Sequence, residues 1–318
     1  MLGIMAVLAA SLSVGALSPV TASAAAPPRG ELFGAFSLDA TLYRIDPGSG
    51  GLTQTATLPP VDYTWDLVAR PRSTLLYASS FLCLIPDALR CAESVGELLT
   101  IDTSTGKVNA VTLSGFVQNL AYDPIDHSLY GLTVDSCCSG TTTVVRVDMA
   151  TGTLSPIATI PGITQTLAID ARTQTLYTDV SNDDTITGQL VAIDARTGAV
   201  TVRPVVGSAL FRLGFGPRAR AIFGMTWDLP SRFVRVDPQT GAVTVVGSFG
   251  TSLGPQEPVA MAIDPATHTV FVVESDVFGN YTAINRIDTL DERTGAAVLG
   301  QTFPGLTTAI AFQERAPA

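Results

Sequence analysis

The chain is predicted to be all-β, a six-bladed β-propeller with four antiparallel strands per blade. Three repeated series carry that expectation. The clearest copy of the first is Leu190–Thr201, LVAIDARTGAVT, which recurs at Phe233–Thr244 as FVRVDPQTGAVT. Its aspartates, each closing a β-branched strand, are Asp46, Asp102, Asp148, Asp194, Asp237 and Asp288, spaced 43 to 56 residues apart. Gly50, Gly106, Gly152, Gly198 and Gly241 follow shortly after, with Gly295 displaced as if by an insertion. A second series is LVARP after Asp66, LAYDP after Asn119, LAIDA after Thr166, LGFGP after Arg212, MAIDP after Ala260 and IAFQE after Ala309. A third strand type carries an aromatic residue: Phe33, Tyr77, Tyr130, Tyr177, Phe223 and Phe271. Each series counts six.

Taken in order, each unit reads as a first strand from the second series, then the aromatic strand, then the strand ending in aspartate, then a fourth strand such as Lys107–Leu113. Asp-x-x-Thr-Gly suits the hairpin between the last two, because aspartate accepts bonds from its own turn and glycine takes the position with positive φ. Units of about 45 residues built this way stack around an axis. Each aromatic should be buried against the next blade, stabilising by roughly 1.5–3 kcal/mol. Only Pro86–Glu93 could make a short helical turn. The chain starts its repeats at Glu31 on a second strand and ends them at Thr308–Gln313 on a lone first strand. The two halves complement each other, so the last blade should combine Thr308–Gln313 with Glu31–Leu58, giving one domain over 31–313 and no free edge.

The 318 residues carry a formal charge of −10, and nothing resembles the basic stripe that phosphate backbones need, so nucleic acid is not an expected partner. Met1–Leu17 is uncharged and apolar and runs into Ala22-Ser23-Ala24, a small-x-small site. Residues 1–26 therefore read as a secretory signal peptide, the mature protein as secreted or extracytoplasmic, and no later stretch as a membrane span. Cys83, Cys91, Cys137 and Cys138 suit an oxidising compartment. Cys83–Cys91 is the first pairing expected; bridges between the two loops are the alternative. Zinc spacing is absent. A monomer is expected.

The Leu-Tyr-x-x-Asp-x-x-Thr-Gly pattern, with Ala-x-Asp-Pro-x-x-x-x-Leu-Tyr, resembles exported bacterial propellers of the YVTN/NHL-like superfamily over Glu31–Gln313. The resemblance implies a six-bladed scaffold and names no activity. The chain lacks the Gly-His and Trp-Asp pairs of WD40 repeats and the Gly-Gly doublet of kelch repeats.

Candidate sites lie where the repeat is broken. Residues opening the first strands converge on the axis, and Asp66 and Arg212, three blades apart, should face each other. Tyr63, Trp65, Gln118, Asn119, Gln165 and Glu257 lie beside them, a mixture of aromatic and polar groups that suits a small-ligand pocket. Asp135, Asn182, Asp183, Asp228 and Asp276 follow the second strands and could supply hard oxygen ligands to Ca²⁺; the simpler reading is loop-starting residues. His127 and His268 occupy equivalent hairpin positions and read as turn residues. Arg44, Arg146, Arg235 and Arg286, two residues before the series aspartates, should pair with carboxylates. No catalytic residue is nominated. The expected function is an exported, non-enzymatic propeller binding a protein, glycan or small ligand on its loop-rich face, without a cofactor unless calcium is bound. The alternative is a calcium-assisted hydrolase or lactonase using the channel mouth.

Overall fold

The computed structural model describes residues 30–315, apart from 37–38, 61–62, 84–85, 88–89, 92–93, 135–139, 163, 165, 183–184, 227–230, 249–256, 277–283 and 306; beside several of these segments only the backbone is described. Six antiparallel sheets run from an inner to an outer strand. Blade 2 is Tyr63–Ala69, Leu75–Cys83, Ser94–Asp102 and Lys107–Thr112. Blade 3 is Asn119–Asp123, Ser128–Val134, Thr141–Val147 and Leu154–Pro161. Blade 4 is Ala168–Asp170, Thr175–Asn182, Thr185–Asp194 and Val200–Ser208. Blade 5 is Leu210–Gly216, Ala221–Thr226, Arg232–Val236 and Val243–Ser248. Blade 6 is Glu257–Asp264, Thr269–Asp276 and Ile284–Asp291, with its outer strand split into Ala297–Val298 and Thr302–Pro304. Blade 1 takes its inner strand, Thr307–Glu314, from the end of the chain and adds Gly30–Phe36, Thr41–Ile45 and Leu52–Thr57 from the beginning. The expected closure is what the strands do: Leu32 pairs with Phe312 and Gly34 with Ile310. Pro86–Asp87 and Arg90–Cys91 form a two-residue antiparallel ribbon instead of the helical turn expected at Pro86–Glu93.

The core lies between the blades. Six clusters of buried apolar residues each join one blade to the next. The aromatic of each second strand is buried. Tyr77 stacks on Tyr122 with ring centres 5.6 Å apart, Tyr177 on Phe215 at 6.2 Å and Phe271 on Phe312 at 5.5 Å, each across to the following blade. Side chains also tie one blade to the next: Asp179 Oδ2, on the second strand of blade 4, accepts the Leu210 N–H at 2.7 Å, and Thr166 Oγ1 accepts that of Leu213.

The third-to-fourth hairpins account for the Asp-Thr-Gly repeat. Asp194 Oδ1 accepts the Arg196 and Thr197 N–H groups at 2.9 and 2.8 Å, while the Gly198 N–H closes on the Asp194 carbonyl at 2.8 Å. Those N–H groups hold the Asp194 carboxyl below its usual range. Gly198 has φ +73°, and a Cβ there would lie 2.4 Å from the Ile157 carbonyl oxygen of the preceding blade. Glycine is thus required both for its backbone and for the blade-to-blade approach.

Blade 6 corrects the repeat alignment. Its turn aspartate is Asp291, not Asp288: the Gly295 N–H bonds the Asp291 carbonyl at 2.8 Å, and Arg293 and Thr294 donate to its carboxylate. The shift of three residues is odd, so it turns every side chain to the opposite sheet face. Arg44 reaches Glu31 at 3.0 Å and Arg146 lies 4.0 Å from Asp126 on partly exposed surfaces. Arg235 donates to the Ala219 carbonyl at 3.4 Å. Arg286 instead is buried between two buried carboxylates, bonding Glu274 and holding Asp288 at 2.8 Å through Nε. Desolvation pushes the Glu274 carboxyl up from 4.5 to about 7, with Asp288 adding to the rise and Arg286 opposing it. Asp179 is likewise raised by burial from 3.8 to about 7, the Leu210 N–H opposing the rise, and its Oδ1 has no hydrogen-bond partner among the described residues.

Folded pKa values above the unfolded ones mean that the folded chain holds these protons longer. The stability they contribute is fully present below the unfolded values and is lost as pH rises to about 7. Relative to wild type, Glu274→Gln should therefore gain stability steadily as pH is raised from 4.5 to 7 in thermal melts; a difference independent of pH contradicts this assignment. Deleting Phe303–Ala318 removes the inner strand of blade 1 with buried Ile310 and Phe312. It should lower Tm by roughly 10 °C or more and promote aggregation; a truncated protein that melts like wild type contradicts the closure.

Candidate functional site at the channel axis

Inner strands line the channel, and their ends toward the loop face are irregular. Pairing slips by one residue at Trp65 in blade 2, Arg212 in blade 5, Val259 in blade 6 and Thr308 in blade 1. Such bulges re-aim a side chain and bend the strand. Arg212 has φ +50°, a conformation rare for a residue with a long side chain.

Asp66 keeps a water-accessible edge although protein surrounds it. Its Oδ1 accepts the Leu67 N–H at 2.9 Å and its Oδ2 the Leu120 N–H of blade 3 at 2.8 Å. Burial raises the carboxyl above its usual range; the Arg212 charge, these two N–H groups and the Asn119 side chain oppose the rise without cancelling it. Arg212 reaches away toward blades 6 and 1, donating from Nε to the Val259 carbonyl at 2.9 Å and from Nη2 to that of Thr308 at 3.4 Å. The two charges expected to face each other are therefore both engaged with backbone of neighbouring blades.

Four aromatic rings stand beside them. Tyr63 and Trp65 meet edge-on at 4.9 Å, Trp65 and Phe116 at 5.8 Å, and Phe81 lies 6.1 Å from Trp65 and 5.6 Å from Phe116. The Trp65 Nε1–H is buried and has no hydrogen-bond partner among the described residues. A buried indole donor ordinarily finds one. Arg212 also lies close enough to Tyr63 for its charge to oppose the burial-driven rise of the phenol's pKa. Phe81 and Phe116 were not singled out from sequence: one sits on a second strand and the other in a connection, and only the fold brings them to Trp65.

Of the other expected residues, Gln118 lies at the start of the blade 3 inner strand, where its N–H bonds the Leu132 carbonyl at 2.9 Å, and Asn119 is buried next to it. Glu257 begins the inner strand of blade 6 and is described by backbone alone; Gln165 lies outside the described residues. Asn182 and Asp276 end the second strands of blades 4 and 6, again as backbone, while Asp135, Asp183 and Asp228 lie outside the description. The same holds for Cys137 and Cys138, and Cys83 and Cys91 are described by backbone only. Among the described residues, no three His, Cys, Asp or Glu side chains come together as a metal site, and no helix is long and apolar enough to cross a membrane. His127 and His268 sit at positive φ in first-to-second hairpins, with Nδ1 of His127 3.2 Å from the Tyr122 hydroxyl and Nδ1 of His268 on Glu292.

Neither a protein-family model nor a curated protein matches the chain. Solved structures do. TolB from Acinetobacter baumannii superposes with a TM-score of 0.61 at 13% identity, over 89% of this chain and 66% of that one. A structural-genomics protein of unknown function from Bacteroides thetaiotaomicron VPI-5482 gives 0.56 at 14%, over 85% and 63%. A Bacteroides uniformis ATCC 8492 protein named as a candidate 6-phosphogluconolactonase gives 0.53 at 13%, over 89% and 99%. The chain spans slightly less than two thirds of the first two. At these identities the likeness is one of fold: a six-bladed propeller similar to TolB-like and lactonase-like bacterial propellers.

Proposed function

We propose that the protein is an exported binding propeller, taking a ring-bearing small molecule or glycan at the loop-face mouth of its channel. The observation that carries this reading is the Trp65 Nε1–H, a buried donor without a hydrogen-bond partner among the described residues, set among Tyr63, Phe81 and Phe116. Rings stack on such a surface, and one acceptor on the ligand would satisfy the indole. Asp66 and Arg212 supply the rim of polar character, but their hydrogen bonds serve the backbones of adjacent blades. A carboxylate whose two oxygens already accept N–H groups is a poor starting point for calcium or for proton transfer. That favours binding over calcium-assisted lactone hydrolysis, which otherwise rests on likeness of fold.

The chain has 2 tryptophans, so Trp227→Phe leaves Trp65 as the reporter. Titrating that variant with a panel of hexose and N-acetylhexosamine oligosaccharides should give saturable quenching. Affinity should fall about ten-fold or more in Phe116→Ala, since aromatic contacts dominate such sites. Calcium-dependent turnover of δ-gluconolactone that disappears in Asp66→Ala would overturn the binding reading in favour of the hydrolase.

A further inference from the structure

At the opposite end of the channel, the hairpins joining first to second strands follow one plan in four blades and break it in blade 2. Each loop has four residues between its closing pair. In blades 3 to 6 the positive φ falls on the last: His127 at 59°, Gln174 at 57°, Arg220 at 51° and His268 at 64°. Blades 3, 4 and 6 also open the loop with a buried aspartate that accepts a loop N–H. Asp123 takes that of Ile125 at 2.8 Å, Asp170 that of Arg172 at 3.1 Å and Asp264 that of Ala266 at 2.8 Å.

Blade 2 has Arg70 where those aspartates stand. Its positive φ has moved to the second loop residue, Arg72 at 57°. The hairpin still closes, with the Arg70 N–H on the Leu75 carbonyl at 3.0 Å, and Ser73 Oγ takes over as the acceptor for the Leu75 N–H at 3.2 Å. Both side chains so introduced line the mouth cavity, whose volume is about 820 Å³. Pro71, Pro124, Pro217 and Pro265 make its apolar wall, and His127 and Glu314 complete its polar edge. Among the described residues, neither the Arg70 nor the Arg72 guanidinium has a carboxylate partner.

We propose that this second mouth is a binding site for a small organic anion, with a carboxylate or phosphate head held by Arg70 and Arg72 and an apolar body against the prolines. Paired guanidinium forks match an oxyanion head in geometry and charge. The cavity has the size of an ordinary small-molecule site. Proline walls offer no N–H to compete for the head, and Glu314 in the lining disfavours a second negative charge. The site is independent of the aromatic mouth at the other end.

Calorimetric titration with phenyl phosphate, benzoate and inorganic phosphate tests this and tells the two head groups apart. Saturable binding of phenyl phosphate or benzoate is expected, with inorganic phosphate at least about ten-fold weaker for want of an apolar body. Arg70→Gln and Arg72→Gln should each weaken binding about ten-fold at unchanged Tm, and Glu314→Gln should tighten it. Arg196→Gln, exposed on a peripheral hairpin of blade 4, should leave it unchanged. No saturable binding of either ring compound would overturn the proposal, as would weakening by Arg196→Gln equal to that by Arg72→Gln.

Discussion

Everything in this structure depends on closing a ring whose sheets cannot stand alone. Each blade buries its two faces only when both neighbours are present, because the six apolar clusters lie between blades and not within them. Blade 1 is the join: its inner strand, Thr307–Glu314, pairs with Gly30–Phe36 from the other end of the chain. An open array would expose an unpaired strand edge and an apolar face at each end. Closure also explains the glycines of the third-to-fourth hairpins, since Gly198 lies against the carbonyl of Ile157 on the blade before it. The turn motif is therefore a device for seating one blade on the next as much as for reversing the chain.

The same constraint decides how the polar groups near the axis are used. Neighbouring inner strands do not share a β-ladder, so some of their N–H groups need other acceptors. Asp66 serves Leu120, Thr166 serves Leu213 and Asp179 serves Leu210, each across a blade boundary. A reading of Asp66 as a catalytic carboxylate has to compete with that structural duty. Among the described residues, the Trp65 indole N–H at one mouth has no hydrogen-bond partner, and the Arg70 and Arg72 guanidinium groups at the other have no carboxylate partner. Both are places where a residue interrupts the repeat.

Repeat count, strand order, closure and the buried aromatics were legible in the sequence because each follows from periodicity and turn chemistry repeated six times. The failures have local causes. Ile287-Asp288 imitates the end of a repeat strand, and only the four-residue spacing to glycine separates the true turn, Asp291 to Gly295, from it. That slip hid the buried Glu274–Arg286–Asp288 group, which no copy of the repeat predicts. The bulges at Trp65, Arg212 and Thr308 have no glycine or proline beside them to announce them, and only that at Val259 follows a proline, Pro258. Phe81 meets Trp65 through the register of their own hairpin, in which Tyr63 stands opposite Phe81, and Phe116 comes from the connection into the next blade.

Native-state hydrogen exchange on the two terminal strands tests the central claim, that the ring is locked by its own ends. Closure predicts that amides of Gly30–Phe36 and Thr307–Glu314 exchange only through global unfolding, with protection equal to that of Ser128–Val134 in blade 3. Exchange of the terminal strands through local opening, with blade 3 still protected, would contradict it.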